Sequence, residues 1–294
     1  MKWLVLRLTS SPENAERVAA ILAARTSAGT AIENPVPGGK ETRSATVTAY
    51  LPFSRMLKSA RETVMAGLRE FNLDDKVVTE ETVLKEEEWL DSLKANFAPL
   101  SVGRNFLVKP SWVEAPAGPG RYVINLDPGA AFGTGDHPTT RMCLEYLDRN
   151  LTAGMSVLDL GTGTGVLAIA SARLGCRSVL ALDTDAAAIW AAKVNVTRNQ
   201  VAGTVTVKRG TLTRHFQSKH RGEFDLVVAN IAGPILANLA PGFFQVLAQG
   251  GRLFLSGFTS HGLDEVLINL AVAGFSLKDL ARAEEWRAVL AGRP

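Results

Sequence analysis

The residues best placed to do chemistry lie between Ser156 and Asp183, in SVLDLGTGTGVLAIASARLGCRSVLALD. Glycines fall at alternate positions, Gly161, Gly163 and Gly165, with Asp159 before them and Asp183 after. Alternate glycines permit a tight bend with positive φ and let backbone approach a ligand without an intervening Cβ. An acid closing the next apolar run can accept both hydroxyls of a ribose. Dinucleotide folds space their glycines as G-x-G-x-x-G, with pyrophosphate at the helix N-terminus. Here the spacing is G-x-G-x-G. Asp159 is an acid near where a pyrophosphate would lie, but it could accept from an ammonium group. These features favour S-adenosylmethionine, which has an amino-acid tail and no phosphate, over a nicotinamide or flavin cofactor. The plainer alternative is a structural turn that binds nothing.

The elements that must hold these residues read clearly. Val157, Leu158 and Leu160 suit a buried strand, Val166 to Leu174 a helix stopped at Gly175, and Val179 to Leu182 a second strand. The alternation continues through a helix (Ala186 to Asn199), strands at Val205 to Lys208 and Phe224 to Ala229, and Asn230. Then come a helix from Ile235 to Leu247, a strand from Arg252 to Ser256 and a helix from Gly262 to Ala273. Phe275 to Leu280 and Arg287 to Leu290 close the chain as an antiparallel edge hairpin. This order predicts an α/β fold built on a doubly wound, mostly parallel sheet. Upstream, Arg104 to Pro110 and Arg121 to Leu126 read as extended. LDPGAAFGTGDHPTT then forms a glycine-rich loop holding Phe132, Thr134 and His137, with Asp136 as the expected cap of a helix from about Pro138. An aromatic among glycines suits a lid or stacking element.

The first part of the chain has a different rhythm. Lys2 to Leu8 alternates as a strand, Ser11 and Pro12 open a helix, and Val36 to Gly39 forms a loop. Ala45 to Leu51 is a strand, Met56 to Phe71 a helix, and Lys76 to Val83 extended. The order suggests a small ferredoxin-like α+β domain. It contains no catalytic constellation, which fits recognition better than catalysis. Leu84 to Phe97 reads as a charged helix with an acidic outer side. The expected division is residues 1–87 for substrate recognition, 88–100 as a linker helix and 101–294 as the catalytic domain.

Composition sets limits on function. The chain has 294 residues, 46% hydrophobic and 21% charged, with a net charge of +3, which gives no case for broad nucleic-acid binding. The two cysteines, Cys143 and Cys176, have no metal-ligand spacing, so no metal site is expected and free thiols of a reducing cytoplasm are. The N-terminal apolar run is too short for a signal peptide, and no stretch is long enough for a membrane span. A cytoplasmic monomer is expected.

Three stretches carry a family resemblance. Leu126 to Thr140 strongly resembles the distinctive loop of the ribosomal protein L11 methyltransferases. VLDLGTGTGVLAIA with Asp183 is shared by many class I methyltransferases, and DLVVANIAGPILANLAP is similar to the family's fourth-strand segment. KPSW and EEWRAVLAGR also resemble it, so the likeness covers most of residues 104 to 294. It implies an S-adenosylmethionine-dependent N-methyltransferase whose partner is ribosomal protein L11, methylated on lysine side chains, an α-amine or both. By the resemblance Thr140, Gly161, Asp183 and Asn230 would bind the donor, joined on the reading of the loop and the turn by Phe132, Thr134 and Gly163. After Asn230 the chain reads Ile-Ala-Gly-Pro, where the family pattern leads one to expect alanine one residue later.

Methyl transfer to an amine needs a neutral nucleophile. Deprotonating a lysine of pKa about 10.4 at pH 7 costs roughly 4–5 kcal/mol, and an α-amine near 8 about 1. Asn230 could orient the amine, or serve only as a helix cap. His137 is a candidate proton acceptor, with a structural hydrogen bond as its plain alternative. Three other functions remain open, one of them methylation of a different protein substrate. An RNA methyltransferase would use the basic stretch Lys208, Arg209, Arg214, Lys219 and Arg221, but the Asn-Pro-Pro-aromatic of many base-methylating enzymes is missing after strand four. A non-enzymatic nucleotide-binding module is the third.

Overall fold

The computed structural model describes the chain except residues 1, 12–13, 16, 19–20, 23–29, 34–43, 53–56, 86–97, 116–117, 119, 128–132 and 134. The chain divides into two compact units, Met1–Phe97 and Ala98–Pro294.

In the first unit, β1 (Lys2–Ser10), β2 (Thr30–Glu33), β3 (Ala45–Pro52) and β4 (Val78–Lys85) form a sheet in the order β2-β3-β1-β4. Every pairing is antiparallel, the ferredoxin-like arrangement. Leu4, Leu6 and Leu8 of β1 are buried with Val47 and Ala49 of β3. Val64 and Leu68 of helix α1 (Leu57–Glu70) complete that core with the helical residues Val18, Ile21 and Leu22. The short strand β2 had no individual sequence signal. The expected helix from Leu84 begins wrongly, because Leu84 and Lys85 belong to β4, paired with Trp3 and Lys2. Alternating Thr and Val here favoured extension over helix. The remainder of that helix lies outside the described residues, as do Pro12 and the Val36 to Gly39 loop.

The second unit opens with β5 (Leu100–Val102), β6 (Phe106–Lys109) and β7 (Tyr122–Asn125) as a small sheet, parallel only between β6 and β7. Helix α2 (Pro138–Asn150) leads to the main sheet. Its strands are β8 (Ser156–Leu160), β9 (Ser178–Asp183), β10 (Val205–Arg209), β11 (Phe224–Asn230), β12 (Leu247–Thr259), β13 (Ser276–Ala283) and β14 (Trp286–Gly292). The order is β10-β9-β8-β11-β12-β14-β13, parallel from β10 to β12, with β14 antiparallel to both neighbours. Order reverses between β8 and β11, where ligands gather in such sheets.

Helices α3 (Val166–Arg173) and α4 (Ala186–Arg198) share one face of this sheet with α2. The other face carries α5 (Arg214–Lys219), α6 (Gly233–Val246) and α7 (Ser260–Val272). Strand β8 is buried throughout, as a strand covered on both faces must be. Leu236, Ala240 and Phe243 of α6 pack with Leu253 and Leu255 of β12 in the larger core. Helix α5, unforeseen in the basic stretch, starts at the Thr213 side chain, which accepts from the Phe216 amide. Among the described residues, no helix is long and apolar enough to cross a membrane.

Candidate active site

Strand register brings the chemistry-bearing residues to one level. Leu160 of β8 stands beside Leu182 of β9 and Ala229 of β11. Each chain then takes one more step, to Gly161, Asp183 and Asn230. These three residues line the carboxyl edge of adjacent strands at the point where strand order reverses.

The turn needs its glycines for two reasons. Gly161, Gly163 and Gly165 have φ of 76°, 52° and 84°, a region that disfavours side chains. At Gly161 a Cβ would also lie 2.2 Å from Ile231 Cγ2, the residue following Asn230. The Gly161 and Thr162 amides donate to the Leu182 carbonyl at 2.8 and 2.9 Å, fastening the turn to the end of β9.

The two acids are held differently. Asp183 accepts from the Gly163 amide through Oδ2 and from the Asp185 amide through Oδ1, each at 3.0 Å. Both oxygens are fixed in place, and each retains acceptor capacity for a hydroxyl. Asp159 is fully buried and accepts from Thr162 Oγ1 at 2.6 Å. Its other oxygen is buried and makes no hydrogen bond of normal geometry among the described residues. Burial pushes its carboxyl from 3.8 up to about 7, with the Thr162 bond opposing, the Asp183 charge adding and the Ala168 amide opposing slightly.

Across the turn lies the start of α2. Its cap is His137 and not the expected Asp136. The His137 ring accepts from the Thr139 amide at 3.3 Å and meets the Thr139 hydroxyl at 2.7 Å, both through Nδ1. An aspartate one residue earlier would reach the amides of the first turn less directly than a side chain at the cap itself. The His137 ring also packs edge-on to Trp286, centroids 4.7 Å apart. Burial lowers its pKa against the smaller opposing charges of Asp136, Glu285 and Glu284, which favours the neutral ring that a cap acceptor requires.

Thr140, buried in the first turn of α2, receives a hydrogen bond from Asn230 Nδ2 at 3.2 Å. Asn230 does not cap α6, whose cap is Ala232, without a side-chain hydrogen bond. Its Oδ1 is buried and has no hydrogen-bond partner among the described residues. The site thus presents two unsatisfied acceptors, on Asp159 and Asn230, beside a glycine turn and an anchored acid. Buried acceptors of this kind call for N–H donors from a ligand.

The model of the ribosomal protein L11 methyltransferase (PrmA) family matches residues 2–294. The chain belongs to the ribosomal protein L11 methyltransferase family. It is 33% identical over 318 residues to the L11 methyltransferase of Geobacillus kaustophilus, with 100% of both chains covered. Identity to that of Heliobacterium modesticaldum is 35% over 317 residues, covering 100% of this chain and 98% of the relative. The crystal structure of ribosomal protein L11 methylase from Lactobacillus delbrueckii subsp. bulgaricus is similar at a TM-score of 0.61 and 31% identity, covering 67% of this chain and 99% of that one.

For this L11 methyltransferase family member, the structure brings together Thr140, Gly161, Gly163, Asp183 and Asn230. His137 joins them through α2, while Phe132 and Thr134 lie outside the described residues. Two residues escaped the sequence reading. Asn195, on the inner face of α4, and Asn199, its C-terminal cap, are fully buried and bind backbone where β7 runs into the glycine-rich loop. Their signal was available: two amides one helical turn apart, on the same face as Ala188, Ala192 and Val196.

Proposed function

We propose that the chain is an S-adenosylmethionine-dependent N-methyltransferase that modifies amino groups of ribosomal protein L11, on lysine side chains, an α-amine or both. The observation that carries it is a pair of acceptors by the glycine turn, Asp159 Oδ1 and Asn230 Oδ1, buried without hydrogen-bond partners among the described residues. When bound, S-adenosylmethionine supplies an electrophilic methyl on a positively charged sulfur. Asp183 would hold the ribose hydroxyls, Asp159 the ammonium of the amino-acid tail, and Gly161 and Gly163 would leave room for the adenosine backbone. Asn230 would accept an N–H of the incoming amine and orient its lone pair, with Thr140 keeping the amide from rotating. Alignment of this kind is the main requirement of an in-line displacement. His137 would contribute by setting the first turn of α2, and a role in taking up the amine proton is tested below.

The first unit, with its own core and no share of these residues, would serve substrate recognition. The reading takes the enzyme as a cytoplasmic monomer that contacts neither membrane nor nucleic acid. The test is a filter assay with labelled methyl donor, comparing purified ribosomal protein L11 with naked ribosomal RNA. Label is expected in L11 alone. Label in RNA and none in the protein would overturn the reading.

A further inference from the structure

Resting on the proposed use of S-adenosylmethionine, we propose that Asn195 is a positioning residue that locks the donor-binding turn to the start of the glycine-rich loop Leu126–Thr140. Asn199 Oδ1 accepts from the Asn125 amide at 2.9 Å, and its Nδ2 donates to the Asn125 carbonyl at 2.7 Å. Asn195 repeats the pattern two residues along, accepting from the Asp127 amide at 3.0 Å and donating to its carbonyl at 3.1 Å. The two side-chain amides therefore bind β7 and its extension as a neighbouring strand would. Four helical residues advance about 6.0 Å and two strand residues about 6.6 Å, so the pairs come into register. Among the described residues strand β7 is an edge, paired to β6 alone, and the Leu126 amide points back to Lys109 of that strand. The asparagines occupy its other side. Two-point bonding fixes which end of each amide is oxygen.

Each amide nitrogen has a second proton, and here the two residues part. Asn199 returns it to its own helix, at the Asn195 carbonyl, 2.8 Å away. Asn195 sends it to the carbonyl of Thr164, 2.9 Å away in the glycine turn. Thr164 in turn donates its hydroxyl to the Gly133 carbonyl at 2.6 Å. Asp127, Asn195, Thr164 and Gly133 thus form one connected chain. It ties backbone on both sides of residues 128–132 to the turn between Gly161 and Gly165. At Gly133 a Cβ would lie 3.1 Å from Thr164 Oγ1, so the approach is close. Asn199 makes no bond to the turn, which makes it an internal control.

A purely structural pair would contribute to stability alike and leave donor affinity alone. The test uses the full chain with Asn195→Ala, Asn199→Ala and Thr164→Val. It reads the thermal midpoint, the S-adenosylmethionine dissociation constant by calorimetry, and kcat and KM on L11. Both asparagine variants should lower the midpoint. Only Asn195→Ala and Thr164→Val should weaken donor binding, by about ten-fold for Asn195→Ala, the scale of one or two lost hydrogen bonds. KM for the donor should rise in step, while kcat at saturating donor changes less than about three-fold. Should Asn195→Ala fail to fold, Thr164→Val alone decides. Parent-like affinity in the folded Asn195→Ala or, failing that, in Thr164→Val overturns the inference. So does equal weakening by Asn199→Ala. A parent chain that binds no S-adenosylmethionine overturns the cofactor reading and this inference with it.

Discussion

Asn230 donates its side-chain amide to the Thr140 hydroxyl at 3.2 Å, joining the carboxyl end of β11 to the first turn of α2. The bond fixes the amide plane and leaves Oδ1 buried with no hydrogen-bond donor among the described residues. Asn230→Ala should therefore lower kcat by about 10²–10³, the scale of removing one preorganised hydrogen-bonding group. Thr140→Val, which only frees the amide to rotate, should cost less. Single-turnover rates at saturating donor separate the two, and a rate unchanged in Asn230→Ala would remove it from the reacting centre.

Asp183 bears on the identity of the cofactor. Its oxygens are already anchored by the Gly163 and Asp185 amides, so they are placed for a ligand at no further ordering cost. Asp183→Ala should weaken S-adenosylmethionine binding by about 1–3 kcal/mol, as expected for hydrogen bonds to a charged group. Calorimetry on the parent should show no competition from NAD. Tighter binding of NAD than of S-adenosylmethionine would replace the cofactor assignment.

Asp159 should make both stability and donor binding depend on pH. Its carboxyl titrates near 7 when folded, against 3.8 ordinarily, so the folded chain holds a proton the unfolded chain has lost. The resulting stability is complete below about pH 4 and disappears as pH rises through about 7. Asp159→Asn should flatten that part of the profile in the ligand-free protein. An ammonium group against Oδ1 would favour the carboxylate, so donor binding near pH 6 should release a proton. Calorimetry in buffers of different ionisation enthalpy reads this directly, and a binding enthalpy independent of buffer would argue against contact with Asp159.

His137 offers a sharp choice between cap and base. The neutral ring is favoured in the folded chain, so its contribution is complete above about 6.5 and declines as pH falls below that value. His137→Asn supplies a good cap with no basic nitrogen, whereas His137→Ala lacks both and should cost about 1 kcal/mol of stability. If capping is its work, His137→Asn keeps kcat within a few-fold on the scale where loss of a general base costs about 10²–10⁴. A loss of that larger size in a stably folded His137→Asn would restore the proton-acceptor role.

What the sequence disclosed and what it hid have physical reasons. The strands of the main sheet could be read because burial on both faces demands continuous apolar runs, as in β8 and β11. Asp183 and Asn230 could be found because each ends such a run. The Asn195 and Asn199 clamp was hidden because its partners are backbone groups some seventy residues away, and backbone leaves no mark in residue identity. The cap of α2 was misplaced by one residue because aspartate is the commoner cap and histidine does the work here. Strand β2 was hidden by its length, four residues paired to β3.

The division of labour between the two units is open to a direct test. Each residue assigned to the donor or the amine lies between Phe132 and Asn230, within the unit Ala98–Pro294. The first unit closes its own core around Leu6, Leu8, Val47 and Leu68 and contributes none of them. A fragment beginning at Ala98 should therefore bind S-adenosylmethionine within a few-fold of the full chain, since no assigned donor contact is removed. It should lose methylation of intact L11, because binding energy from a remote recognition surface is what positions a large substrate at the reacting centre. The loss should appear in kcat/KM for L11, with the donor constant unaffected. Adding the first unit back as a separate polypeptide should not restore the rate, because the tether that raises its local concentration is gone. Full L11 methylation by the fragment would end the recognition role. Loss of donor binding in a fragment whose circular dichroism and thermal transition show it folded would mean that the first unit completes the donor site.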